Sequence, residues 1–215
     1  MSESSGELAP QFDDLDQQRA ADTLGIWVFL ATEVLFFGGL FLGFFVYRQA
    51  YPEAFAAAGR HLDLLLGGIN TAVLLTSSLT MTLADQAAAA DRRKALIALL
   101  GATALLGIAF LAIKAIEYSR EFEAGLAPLF GQVFRFEGPH RNQAELFFHF
   151  YFLMTGLHAL HLFIGIVIVT VMIAFSALSL RPLATRVAIT GLYWHFIDVV
   201  WVFLFSILYL GARHG

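Results

Sequence analysis

Apolar residues do not alternate with polar ones along this chain. They run in five long blocks, at roughly residues 23 to 47, 62 to 84, 95 to 116, 146 to 177 and 186 to 210, parted by polar breaks. A hydrocarbon core needs about 17–25 consecutive apolar residues per helix, and each block is that long or longer. Backbone groups cannot go unpaired in lipid, so the blocks predict helices. The fold class expected is an all-α integral membrane protein with five transmembrane helices in a bundle. Around that domain, residues 23 to 211, lie an acidic flexible N-terminal segment, 1 to 22, and a short tail, 212 to 215.

The breaks differ in kind. "YRQAYPEAFAAAGRH" (47 to 61) carries Pro52, "DQAAAADRRK" (85 to 94) is short and basic, and "SLRPLATR" (179 to 186) turns at a proline between two arginines. Residues 117 to 145, with Pro128 and Pro139, read as one long loop. Short loops rich in Lys and Arg stay cytoplasmic. With the N-terminus inside, the inner side holds Arg19, Arg92, Arg93, Lys94, Arg181 and Arg186, against Arg48, Arg60 and Arg213 outside. The expectation is therefore a cytoplasmic N-terminus, a periplasmic C-terminus and a periplasmic long loop.

Composition agrees. Of 215 residues, 59% are hydrophobic and 14% charged, against about 45–50% and 25% in soluble domains. The formal charge of -4 comes largely from Glu3, Glu7, Asp13, Asp14, Asp16 and Asp22. The start lacks the basic residues and cleavage site of a secretory signal, so the first block is expected to stay in the mature protein. No nucleic-acid partner is expected. With no cysteine, disulfides, thiolate zinc and iron–sulfur clusters are excluded.

Against this apolar ground the ionisable residues stand out, because a charge in the bilayer centre costs about 2.5–3.5 kcal/mol on insertion scales and tends to mark proton or ion sites. Glu33 lies roughly 13 Å into the first helix at 1.5 Å per residue. In "YWHFIDVVWVFLF", His195 and Asp198 share a face at i,i+3, roughly 12 and 16 Å deep by the same arithmetic. Their common level predicts one polar cluster of Glu33, His195 and Asp198 at a helix interface; helix-pinning hydrogen bonds are the competing reading. His158 and His161 also share a face, near the outer end of the third block, so a contact of Glu117 with either is expected. Two histidines on one face make a poor metal site, and neither metal ligands nor catalytic residues are predicted. Asn70 and the hydroxyls of "GINTAVLLTSSLTMTLA" suit hydrogen bonding between helices. Gly38, Gly39, Gly43, Gly67, Gly68, Gly101, Gly107, Gly156 and Gly165 are expected on packing faces. Trp27, Trp194, Trp201, Tyr47, Tyr118 and Tyr209 are candidates for an interfacial aromatic belt.

Five segments in order, "ATEVLFFGGLFLGFF", "GGINTAVLLTSSLTMTLA", "LLGIAFLAIKAIEY", "FYFLMTGLHALHLFIG" and "YWHFIDVVWVFLFSILYL", resemble subunit III of haem–copper oxidases over nearly all of residues 23 to 211. Two helices that begin mitochondrial-type members are missing, as in shorter bacterial forms. Lys114 replaces a glutamine usual in the family, and the long loop departs from the mitochondrial pattern. The resemblance implies a bundle split by a lipid-holding cleft and a subunit of a cytochrome c or quinol oxidase without its own redox centre. Haem and copper would lie in partner subunits. It implies subunit I as catalytic partner, with subunit II and a small subunit IV, bound phospholipid, and a multi-pass position in the bacterial inner membrane. The role implied is support of the catalytic subunit, of proton uptake and of oxygen and lipid access during proton-pumping respiration. By position, Glu33, His195 and Asp198 are proton-related candidates, and Glu117, His158, His161, Asn70, Trp194 and Trp201 helix-interface or lipid-related ones.

Three other readings compete. The accessory membrane protein of nitric oxide reductase has five helices of this kind. A haem b anchor would use His149, His158, His161 or His195. A small proton-coupled transporter would use Glu33.

Overall fold

A computed structural model describes residues 10–128, 134–137, 140–178 and 184–211, without the side chains of Leu15 and Arg19. Helix α1 spans Leu15–Ala50, α2 Pro52–Gly59, α3 Leu64–Ala89, α4 Arg93–Glu123, α5 Arg141–Ala177 and α6 Ala184–Phe205, which closes in a π turn, Ser206–Leu210. Five of these helices are long and apolar enough to cross a membrane: α1, α3, α4, α5 and α6 with its π turn.

Every span was anticipated, but several ends move because caps fix them. Helix α1 begins eight residues before its apolar block, so residues 15–22 of the expected loose segment are helical. The Asp14 carboxylate accepts the Gln17 N–H at 2.7 Å, Gln17 accepts the Asp13 N–H at 2.7 Å, and Asp16 sits in the first turn, which suits the dipole. In the break read as a plain connection, Pro52 starts α2 at the position where a missing N–H costs nothing. Helix α3 is capped by Asp63, which accepts from Leu65 and Leu66 and also meets Arg120 at 3.2 Å. It ends where Asp91 takes φ 53° and Arg92 N–H reaches the Ala87 carbonyl at 2.9 Å. Glycine is the usual residue there.

The long loop is shorter than expected. Helix α4 runs on to Glu123 and stops at Gly125, φ 71°, with Leu126 N–H on the Glu121 carbonyl at 2.9 Å. Glu117 and Arg120 are thus helical. Beyond them Leu126, Ala127, Phe134 and Phe136 are buried, and Phe134 meets Phe148 of α5 edge-on at 5.8 Å. These four residues pack onto the bundle end.

Helices α3, α4, α5 and α6 close a ring, each packed on two neighbours. Helix α1 lies outside it against α5, α6 and α2. Half of the most apolar window of α6 is buried and only 17% of that of α1, so α6 is the interior span and α1 the peripheral one. The glycines separate along the same line. A Cβ on Gly107 would stand 3.0 Å from Ile166 and 3.1 Å from Trp194, one on Gly165 3.2 Å from Trp194, and one on Gly67 2.9 Å from Tyr209. Gly38, Gly39, Gly68 and Gly101 face open space instead, which corrects their expected place at packed faces.

Candidate functional site

Polar side chains inside the spans gather in four places. At the first, the Glu33 Oε2 of α1 stands 3.2 Å from His161 Nε2 of α5, with side chains 17% and 15% exposed. The two atoms stand at ion-pair distance, without an aligned hydrogen bond on Oε2 among the described residues. His161 Nδ1 is 2.8 Å from the Leu157 carbonyl. A carbonyl only accepts, so Nδ1 carries the hydrogen and Nε2 is the nitrogen that faces the carboxyl. Phe37, one turn after Glu33, packs edge-on against the His161 ring at 5.5 Å, and Tyr193 of α6 donates to the His161 carbonyl at 3.2 Å.

The second place lies between α3 and α6. His195 Nδ1 meets Ser78 Oγ at 2.8 Å and its Nε2 lies 3.4 Å from Thr82 Oγ1. Asp198 Oδ2 is 3.8 Å from His195 Nδ1, and neither Asp198 oxygen has a hydrogen-bond partner among the described residues. The expected three-member cluster is therefore divided: Glu33 pairs with His161, while His195 and Asp198 face Ser78. Equal depth put them at one level, but the helices present them on different sides.

Third is a closed network joining α4, α5 and the π turn. Lys114 Nζ donates to Glu117 Oε2 at 3.0 Å, Tyr151 Oη at 3.1 Å and Tyr209 Oη at 2.9 Å. The two phenols donate to Glu117 Oε1 at 3.0 and 2.5 Å. All three ammonium hydrogens and both carboxylate oxygens are used. Glu117 was expected to meet His158 or His161; its partners are these instead. The i,i+3 spacing of Lys114 and Glu117 is a signal that would have found this pair, whereas Tyr151 and Tyr209, 34 and 92 residues from Glu117, carry no such signal. The π turn puts Tyr209 at the network, a common use of such turns.

Fourth, His158 is sealed between Phe110, at 5.5 Å, and Trp201, at 5.2 Å, and neither ring nitrogen has a hydrogen-bond partner among the described residues. Asn70 nearby donates to the Phe110 carbonyl at 3.5 Å and leaves its Oδ1 unpaired.

Two of the three indoles, Trp194 and Trp201, are not belt residues. Trp194 and Trp201 are fully buried and donate to Ser77 Oγ and Thr71 Oγ1, each at 3.0 Å; Tyr209 is buried too, while Trp27 and Tyr47 are exposed. The hydroxyl-rich α3 thus serves as acceptor strip for α6. Each hydroxyl also donates within its own helix, Thr71 to Gly67 and Ser77 to Leu74. Among the described residues, no three His, Asp or Glu side chains gather as a metal site. The four histidines of the haem-anchor reading fall in separate surroundings, with His149 exposed and turned to the Glu145 carbonyl. Arg181, Arg213 and Pro139, used in the orientation and loop readings, lie outside the described residues.

A family model, Cytochrome c oxidase subunit III, matches residues 18–212. Cytochrome c oxidase subunit 3 of Thermostichus vulcanus is 33% identical over 196 residues, covering 88% of this chain and 87% of that protein. The probable quinol oxidase subunit 3 of Staphylococcus saprophyticus is 28% identical over 204 residues, 94% of each chain. Heme-copper oxidase subunit I+III of Aeropyrum pernix is 28% identical over 197 residues, 86% of this chain and 22% of that longer protein.

Proposed function

The chain belongs to the cytochrome c oxidase subunit III family, and on that premise we propose that it flanks the catalytic subunit of a bacterial haem–copper terminal oxidase, stabilising it and supporting its proton uptake. Haem and copper then belong to partner subunits, and subunit I is the direct neighbour. A relative whose name joins subunits I and III in one chain supports that assignment; subunit II and a small subunit IV complete the set. The basic turn at Arg92, Arg93 and Lys94 between α3 and α4 supports a cytoplasmic N-terminus in the bacterial inner membrane. Phospholipid fills the thinly packed seam of α1 against α5 and α6, the place for the lipid-holding cleft and for oxygen access.

The observation that carries the proton-related part is the Glu33–His161 pair. It places a carboxyl and an imidazole within the span at 3.2 Å, where one proton can shift from one to the other without changing the net charge of the pair in hydrocarbon. Proton uptake by a neighbouring subunit gains from such a group because the local cost of ionisation is already offset by the partner.

The test is made in the complete oxidase, purified in mild detergent so that the haem-bearing large subunit copurifies. Glu33→Gln is expected to leave the haem spectrum intact while slowing proton uptake or shortening the number of turnovers before activity is lost. Unchanged kinetics in a fully assembled complex would reduce Glu33 to a packing residue.

A further inference from the structure

Helix α1 carries Glu33, yet it is the span with the least packing to hold it, since only 17% of its most apolar window is buried. Aromatic side chains make much of its contact with the ring of helices: Phe37 meets Phe196, Phe41 meets Phe203 and Phe44 meets Phe147, at 5.9 to 6.4 Å. Apolar burial is not directional, so such contacts tolerate a helix that slides or turns slightly. The Glu33 carboxyl, 3.2 Å from His161 Nε2, does not tolerate it. A directional tether comes from the far end of the same helix, where Arg48 Nη2 donates to the Gly211 carbonyl at 2.5 Å. The acceptor is itself fixed. Gly211 directly follows the π turn, and two residues before it Tyr209 donates to Glu117 and accepts from Lys114. The Tyr209 ring also lies so close to α3 that a Cβ on Gly67 would stand 2.9 Å from it. Position 211 needs its glycine for a different reason. A Cβ there would lie 2.6 Å from Arg48 Nη1, so the guanidinium occupies the space a side chain would take.

We propose that Arg48 is a positioning residue for Glu33: its bond to the Gly211 carbonyl sets the height and rotation of α1 that bring the Glu33 carboxyl to His161. Arg48 stands 15 residues past Glu33, roughly 22 Å along α1 and only about 60° around it. Both side chains therefore leave the helix on nearly the same side, and pinning one fixes the direction of the other. A guanidinium suits the task because its donors are held in a planar fork, which fixes direction as well as distance. The π turn and the Lys114–Glu117 network supply the rigid end of the tether, so the enclosed charge pair of α4 helps to place the proton-related carboxyl of α1. The proposal rests on the proton-related reading of Glu33 and deepens it.

The test uses the complete oxidase. Arg48→Gln removes the cation, and Gly211→Ala pushes it aside while keeping it; should Arg48→Gln fail to assemble, Gly211→Ala carries the test. Each is expected to bring the rate of proton uptake most of the way down to that of Glu33→Gln, with the haem spectrum unchanged. A density map of the Gly211→Ala complex should show Glu33 and His161 parted beyond about 4 Å, the limit of an ion pair. Arg48→Lys still donates to the carbonyl and should recover most of the rate. Combined with Glu33→Gln, neither change should slow uptake further, whereas a general loosening of the bundle would add to the loss. Parent rates in Arg48→Gln and Gly211→Ala beside a slow Glu33→Gln would overturn the positioning role, as would an additive loss in the combined variants or an unchanged Glu33–His161 contact in the map. Each of those outcomes leaves the proton-related reading of Glu33 standing. Glu33→Gln at the parent rate would overturn that reading instead, and the map then decides the positioning on geometry alone.

Discussion

Replacing Lys114 by Met removes a charge that the structure has enclosed on every side. The Lys114 and Glu117 side chains are 4% and 2% exposed, and the ammonium also lies 4.9 to 5.6 Å from the ring centroids of Tyr118, Tyr151, Trp201 and Tyr209. Lys114→Met has a similar volume, so little of its cost comes from a cavity. What remains is the Glu117 carboxylate, still accepting from the two phenols but without its opposite charge. Breaking one side of a buried pair typically costs about 3–5 kcal/mol. For a chain of this length about 2–4 °C is lost per kcal/mol, so thermal unfolding of the purified complex should fall by about 6–20 °C. Adding Glu117→Gln removes the leftover charge while keeping an acceptor for Tyr151 and Tyr209, and it should restore most of the loss. Together with Glu117→Gln alone, the parent, Lys114→Met and the double variant give the four melting curves of a double-mutant cycle. A single variant within about 2 °C of the parent, on the same scale, or a double variant as unstable as the single one, would refute the view that this network is a charge-balanced clamp.

The remaining packing predictions turn on paired contrasts. Gly107→Ala and Gly165→Ala drive a methyl into Ile166 and Trp194 at 3.0 to 3.2 Å and should each destabilise by about 1–3 kcal/mol, whereas Gly38→Ala and Gly39→Ala meet nothing within 4 Å and should leave the melting temperature unchanged. Ser77→Ala strands the Trp194 N–H in a fully buried place and should cost about 1–3 kcal/mol. Thr76→Ala, whose hydroxyl bonds only to its own helix at Ala72, should be silent in the same unfolding measurement.

How much of this could be read in advance varies with the kind of information. Glu33 was recognisable as a buried carboxylate from its apolar surroundings, but its partner was not. Rise per residue gives depth and says nothing of rotation about the helix axis. His161 became the partner because Phe37 and Tyr193 fix the facing of α1, α5 and α6 around it. The indoles of Trp194 and Trp201 resembled belt residues while only their distance from span ends was known. Burial by close approach at Gly107 and Gly165 makes Trp194 a core residue. The caps at Asp14 and Asp63 were not read in the sequence, although aspartate is a common helix starter, and their effect on the ends of α1 and α3 needed the backbone in place.

The sequence by itself determined the number of spans, their order and the absence of any thiol chemistry, because insertion into hydrocarbon depends on apolar length, a one-dimensional property. It also determined which residues would be expensive there. Only the tertiary structure decided which of those residues meet. A helix apolar all round offers no polar stripe to orient it, so the rotation of each span is chosen by side-chain packing. That choice gave Glu33 to His161, gave Glu117 to Lys114, Tyr151 and Tyr209, and set His195 against Ser78 of α3 with Asp198 buried behind it.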